Sequence, residues 1–253
     1  MNGGRTGPGT SHGTVDPDDV DRFARLADRW WDPDGPHGPL HRYVPARMRV
    51  IRAALAPLAS SIDPRRPLAG LSILDIGCGG GLLAEPMTRL GAAVTGVDAD
   101  AAGIAAAQDH AEAVGLTIAY RAGAAEDLVT EGAKFDAVIA SEVVEHVADK
   151  PAFCDALTAL IRPGGTLILT TLNRTRRSWS QAIVAAEYVL RWVPRGTHDW
   201  NAFPTPEELT GLLQARGFTV EPAIGLVYDP IEGSFTESGD ARVNYALVAT
   251  RKD

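Results

Sequence analysis

The stretch Leu71–Gly81, LSILDIGCGGG, decides the fold of this 253-residue chain. A short apolar run that ends in an acid and opens into four glycines predicts a buried strand, a tight turn, and a helix starting at Leu82. Such a turn brings backbone N–H groups and a helix N-terminus against a ligand. Gly77, Gly79 and Gly81 allow positive φ and close approach because none carries a Cβ. A dinucleotide fingerprint needs G-x-G-x-x-G, and counting from Gly77 puts Leu82 where its third glycine belongs. The next strand, AAVTGVD, ends at Asp98, 21 residues beyond Gly77. That is close to the roughly 20-residue spacing at which an acid reaches ribose hydroxyls. Two acid-ended strands beside a glycine turn suit a ligand with a sugar diol and no phosphate. The plain alternative is a glycine-rich turn of another α/β protein with a coincidental acid at 98.

The run Asp75-Ile-Gly77-Cys-Gly79-Gly-Gly81 resembles motif I of the class I S-adenosylmethionine-dependent methyltransferases. The resemblance implies S-adenosyl-L-methionine as cofactor, held by Gly77, Gly79 and Asp98. The order of elements agrees, with strands LSILDI, AAVTGVD, LTIAYR, FDAVIAS and TLILTTL alternating with helices at Leu82–Leu90, Asp100–Val114, near Glu126, and Pro151–Ile161. The expected fold is α/β, a Rossmann-like methyltransferase sheet, mostly parallel, with helices on both faces. A helix Thr205–Arg216 opens with a capping box, and strands Phe218–Val227 and Arg242–Thr250 follow. Their connection is too short for a crossover helix, so the last strand should be antiparallel. Ligands of such sheets bind at strand carboxyl ends, where Asp75, Asp98, Ser141 and Asn173 fall. Ser141 is a candidate cofactor contact. So is Glu126, placed where methyltransferases commonly set an acid against the adenine amino group; its other reading is a helix N-cap.

A net charge of −8 excludes the basic face of a nucleic-acid protein. Cys78 and Cys154 offer no disulfide framework and suit a reducing cytoplasm. No run approaches the roughly 18 apolar residues of a membrane span. Met1–Thr14, mostly Gly, Thr, Ser and Pro, is expected to be a disordered tail, and residues 15–253 one methyltransferase domain.

Glu142, Glu145 and His146 stand at i, i+3 and i+4 after the fourth strand, so one helical turn would set them on one face. Methyl transfer to oxygen needs that oxygen deprotonated and aligned behind the methyl carbon. Two carboxylates and an imidazole accept Mg²⁺ or Mn²⁺, which would lower the acidity barrier of a bound hydroxyl. His146 acting as a plain general base is the rival role.

The N-terminal part is read as a helical region over 15–60. A helix from Asp16 through Trp30 either packs on the domain or serves as a lid, and a second helix starts near Pro45. Its segment Arg25–Asp32, with Pro39-Leu40-His41-Arg42 and Pro45-Ala46-Arg47, is similar to the ubiquinone-biosynthesis O-methyltransferases. The resemblance implies that Arg47 contacts the cofactor, and it attaches metal dependence to E-x-x-E-H. Val44 replaces that family's usual asparagine, and Tyr228-Asp229-Pro230 departs from it too.

Residues 174–203 form a basic amphipathic insertion. Trp179, Ile183, Ala186, Leu190 and Val193 recur at helical spacing, and five arginines against Glu187 give +4 over 174–195. Such a stripe is either core or an anionic-membrane contact. Leu172-Asn173-Arg174, Ser178-Trp179 and Gly196-Thr197-His198-Asp199 resemble the same family's insertion. By that resemblance the substrate is a polyprenylated phenol or catechol. The chain is then cytoplasmic and peripherally membrane-associated, with other ubiquinone-biosynthesis enzymes as candidate partners. A methyltransferase of another small acceptor, or a non-catalytic cofactor- or lipid-binding module, would share the glycine turn and Asp98.

Overall fold

The computed structural model describes residue 14, residue 24, residues 26–181, residue 183 and residues 199–253. Most of the expected tail, most of the helix expected from Asp16 through Trp30, and the insertion from 184 through His198 lie outside the described residues; the end of that helix is a 3-10 turn, Ala27–Arg29.

The strands are β1 (Ser72–Ile76), β2 (Ala93–Asp98), β3 (Ala119–Ala122), β4 (Phe135–Ser141), β5 (Ile161–Leu172), β6 (Phe218–Val220), β7 (Ile224–Asp229), β8 (Ser234–Ser238) and β9 (Asn244–Arg251). They form one sheet in the order β3-β2-β1-β4-β5-β9-β7-β8, with β6 also on β9. The first five run parallel. The antiparallel β9 pairs with β5 from Thr166↔Thr250 to Leu172↔Asn244, as the sequence predicts. From β1 the chain winds outward to β2 and β3, then returns to place β4 on the other side of β1. That reversal opens a crevice at the carboxyl ends of β1 and β4.

The helices longer than one turn are α1 (Gly38–Leu55), α2 (Ala84–Arg89), α3 (Ala101–Ala113), α4 (Ala125–Thr130), α5 (Lys150–Leu160) and α6 (Pro206–Gln214), and a single turn, Arg176–Ser178, starts the insertion. Side chains of a strand alternate between faces, so neighbouring residues enter different cores. Ile73, Ile139 and Ile168 join Ile51 and Leu55 of α1, Met87 of α2 and Ile104 of α3. Leu74, Val138 and Leu167 join Leu128 of α4, Leu157 of α5 and Leu213 of α6 on the opposite face. Two-sided burial is why these strands read as unbroken apolar runs.

Several boundaries differ from expectation. The second helix begins at Gly38, not near Pro45: Pro39 sits in its first turn, where its fixed φ suits a helix start. Pro45 is accommodated inside it, with one main-chain donor lost. The turn after β1 runs on through Leu83, so α2 starts at Ala84. The expected strand Phe218–Val227 is divided into β6 and β7. Glu221 still donates to the Val248 carbonyl at 2.9 Å, but Pro222 has no N–H with which to continue the ladder. The connection after β7 contains β8, paired from Gly225↔Ser238 to Asp229↔Ser234. The capping box at Thr205 is present: its hydroxyl accepts from Glu208 N at 3.2 Å while its own N–H donates to Glu208 Oε2 at 2.9 Å.

Among the described residues no helix is long and apolar enough to cross a membrane. Of the arginines that make residues 174–195 basic, Arg174 pairs with Glu208, and Arg177 with Asp240 at 3.0 Å. Two of the five arginines thus meet carboxylates of the domain, and Asp240 is shared with Arg242 at 2.7 Å.

Candidate active site

Gly77, Gly79 and Gly81 do adopt positive φ, at 70°, 50° and 88°. On the side where each would carry a Cβ, the protein's own side chains stand close. A Cβ on Gly77 would lie 2.2 Å from Val143 Cγ2, on Gly79 2.4 Å from Trp30 Cη2, and on Gly81 2.2 Å from the Tyr120 hydroxyl. The glycines are thus required by packing as well as by backbone conformation. Asp98 at the end of β2 accepts Gly79 N through Oδ2 and Asp100 N through Oδ1, both at 2.8 Å. Burial raises its pKa, and those two bonds pull the other way. The carboxylate is thereby fixed beside the turn before any ligand arrives.

The residues just before α1 close on the same turn. Trp30 stacks on His37 at 3.8 Å, and His41 Nε2 lies 2.8 Å from the Trp30 carbonyl. The Trp31 indole donates to Gly80 O at 3.0 Å and stacks on His110 at 3.5 Å. Burial lowers the His37 pKa to about 4, so this stack holds a neutral imidazole at ordinary pH.

Arg47, on α1, is buried beneath the crevice. Its Nη1 donates to Ser141 Oγ at 2.8 Å and Nη2 to Leu40 O at 3.1 Å, and its guanidinium lies 4.7 Å from the Tyr43 ring centre. Arg47 and Ser141, 94 residues apart, are thus joined directly. Arg47 Nε, Asp75 Oδ2 and Asp100 Oδ2 are buried with no hydrogen-bond partner among the described residues. Because buried polar atoms are normally paired, orphans around one crevice mark where a polar ligand belongs.

Burial lifts the Asp75 pKa to about 7, against the pull of Arg47 and with a push from Asp98. A raised folded-state pKa means the native protein holds this proton more tightly than the unfolded chain. The group's contribution to stability is full below about pH 4 and is lost as pH rises through about 7. Asp75→Asn is therefore expected to raise the melting temperature of the ligand-free protein at pH 8 and to change it little near pH 4. Thermal melts across that range check it.

Glu126, the candidate for adenine, accepts Thr14 N at 3.2 Å and Thr14 Oγ1 at 2.8 Å through Oε1, while its Oε2 is buried without a partner among the described residues. It is not the N-cap. Asp127 closes the start of α4 by accepting Ala124 N at 2.9 Å.

Past β4, Glu142 takes φ +58°, alone among described non-glycine residues, and Val144–His146 form a single 3-10 turn. The shared helical face expected for the three groups is therefore replaced by a kinked entry. Thr170 Oγ1 donates to Glu142 Oε1 and Thr171 Oγ1 to Glu145 Oε2, each at 2.8 Å. Burial and the Glu145 charge push the Glu142 pKa up to about 7, while Arg47 and His146 pull it down. Among the described residues no three such side chains form a set able to hold a metal ion.

A methyltransferase-domain family model matches residues 40–223. The ubiquinone biosynthesis O-methyltransferase of Methylobacterium nodulans is 49% identical over 248 residues, 97% of each chain. This chain belongs to the ubiquinone biosynthesis O-methyltransferases. The mitochondrial member from Arabidopsis thaliana is 46% identical over 243 residues, covering 94% of this methyltransferase and 75% of that protein. In fold, this methyltransferase matches the Synechocystis magnesium protoporphyrin IX methyltransferase solved with bound S-adenosylhomocysteine. The TM-score is 0.62 at 20% identity, covering 93% and 95% of the two chains. The chain is an S-adenosylmethionine-dependent O-methyltransferase with the class I fold.

Sequence reasoning gave Asp75 only a place at a strand end, and passed over Thr170 and Thr171. Their signal is visible in TLILTTL: two adjacent hydroxyls in an otherwise apolar, buried strand need partners.

Proposed function

We propose that this methyltransferase moves the methyl group of S-adenosylmethionine to a ring hydroxyl of a polyprenylated catechol-type intermediate of ubiquinone biosynthesis. The phenolate oxygen forms the new bond to the methyl carbon, the carbon–sulfur bond breaks, and sulfur keeps the electron pair as S-adenosylhomocysteine. The sulfonium is already a good leaving group, so the protein's work is positioning and proton removal. Asp98 would hold the ribose diol, the Gly77–Gly79 turn would lie under the cofactor, and Arg47 with Ser141 would face its amino-acid end. The free oxygen of Glu126 is available for the adenine amino group. His146 would take the phenolic proton. The observation that carries this reading is the set of orphaned and pre-fixed polar atoms around the β1–β4 crevice, in a chain of this family.

The donor set as placed does not fit a metal ion, so the proton path runs through the chain's own groups. The prenyl tail is the reason to place the enzyme at an anionic membrane surface through residues 174–195, where Trp179 is half exposed. The test is product mass from purified protein, S-adenosylmethionine and a prenylated catechol, with and without EDTA and anionic vesicles. A methylated catechol with S-adenosylhomocysteine is expected, in greater yield with vesicles, and unmethylated acceptor would overturn the assignment. Turnover lost in EDTA and restored by Mg²⁺ would mean that Glu142 and Glu145 turn away from Thr170 and Thr171 to bind an ion together with His146.

A further inference from the structure

We propose that Thr170 is a positioning residue that ties the acid Glu142 to the cofactor-side cation Arg47 through a one-way chain of hydrogen bonds. The chain rests on the methyltransferase reading above and adds to it Thr170 and Glu142, to which that reading gives no part in the transfer. Arg47 Nη1 lies 2.8 Å from Ser141 Oγ, Ser141 Oγ 2.7 Å from Thr170 Oγ1, and Thr170 Oγ1 2.8 Å from Glu142 Oε1. A guanidinium only donates and an ionised carboxylate only accepts, so with Glu142 ionised the direction is forced along the whole path. Ser141 accepts from Arg47 and must give its single proton to Thr170, which gives its own to Glu142. Arg47, Ser141 and Thr170 are all buried, so water does not offer substitute partners.

Thr170 holds Glu142 a second time through its main chain, because Glu142 N donates to the Thr170 carbonyl at 2.8 Å. Glu142 is at φ +58°, a conformation that residues with a side chain persist in only when their surroundings over-determine it. One residue of β5 thus fixes both the backbone and the carboxylate at the site where β4 enters its catalytic turn. Arg47 and Ser141 face the cofactor, and Glu142 faces the acceptor side beside His146. Thr170 therefore makes the two halves of the site dependent on one another. Removing its hydroxyl strands the Ser141 proton and frees Glu142 Oε1 together.

The test uses Thr170→Val, which keeps the β-branched shape, and Thr170→Ser, which keeps the hydroxyl. Thr170→Val is expected to lower kcat on the prenylated catechol about tenfold and to weaken S-adenosylhomocysteine about fivefold, as one lost buried hydrogen bond does. Thr170→Ser should restore both to within about twofold. In a double-mutant cycle, Arg47→Lys combined with Thr170→Val should be little worse than Arg47→Lys alone, because both cut the same chain. Wild-type affinity in Thr170→Val, equal damage in Thr170→Ser, or multiplicative effects in the cycle would each overturn the inference. The cycle read in S-adenosylhomocysteine affinity by calorimetry needs no acceptor, so it decides the matter even where the proposed substrate fails.

Discussion

Asp98→Ala is expected to weaken S-adenosylhomocysteine at least about 100-fold, equivalent to about 3 kcal/mol. A carboxylate that takes both hydroxyls of a ribose makes two charge-assisted hydrogen bonds, each worth about 1.5–3 kcal/mol. The alanine forfeits those and more, because Asp98 also anchors Gly79 N and Asp100 N. Those anchors hold the glycine turn against β2 and set up Asp100, whose side chain accepts Ala102 N at 2.9 Å to cap α3. Asp98→Asn is the milder companion, since an amide offers one acceptor where the acid offers two, and it should fall between alanine and the parent. Titration calorimetry with S-adenosylhomocysteine measures the series, and a melting curve confirms that each variant is folded. Parent-like affinity in Asp98→Ala would mean that the nucleoside does not lie across the Gly77 turn.

The frame of the molecule was legible because its strongest signals are periodic or steric. Buried parallel strands must be apolar on both faces, so LSILDI and FDAVIAS announce themselves, and the glycines between β1 and α2 have few other uses. The antiparallel β9 followed from a connection too short to hold a crossover helix. What stayed hidden depends on through-space pairing. The bond from Arg47 to Ser141 spans 94 residues, and nothing in either local sequence contains the other. Spacing suggests a shared helical face for Glu142, Glu145 and His146, but Glu142 takes a positive φ with its N–H donating to Thr170 on a neighbouring strand. The glycines read as room for a ligand, and what the sequence leaves out is that Trp30, Val143 and Tyr120 stand where their Cβ atoms would be. Glu126 behaves similarly: its neighbour Asp127 has the capping task, and which of its own oxygens is free depends on Thr14, 112 residues away. Local chemistry thus identified the residue types at the site, while their partners were fixed by topology.

His146→Ala is expected to lower kcat by about 10²–10⁴, the usual worth of a positioned general base, with S-adenosylhomocysteine affinity within about twofold of the parent. Its rival is Glu142, whose pKa near 7 would also suit a base. But Glu142 Oε1 is committed to Thr170, Glu145 Oε2 is committed to Thr171, and Glu145 is sealed from solvent. His146, like Glu142, is partly exposed on this turn, and its imidazole is the group expected to meet the acceptor. The two candidates separate experimentally. If His146 removes the phenolic proton, the deficit of His146→Ala should shrink on catechols carrying electron-withdrawing groups, which are already ionised, and added imidazole should recover part of the rate. A deficit equal for acidic and ordinary catechols, with no recovery by imidazole, would take the proton away from His146 and leave it to Glu142.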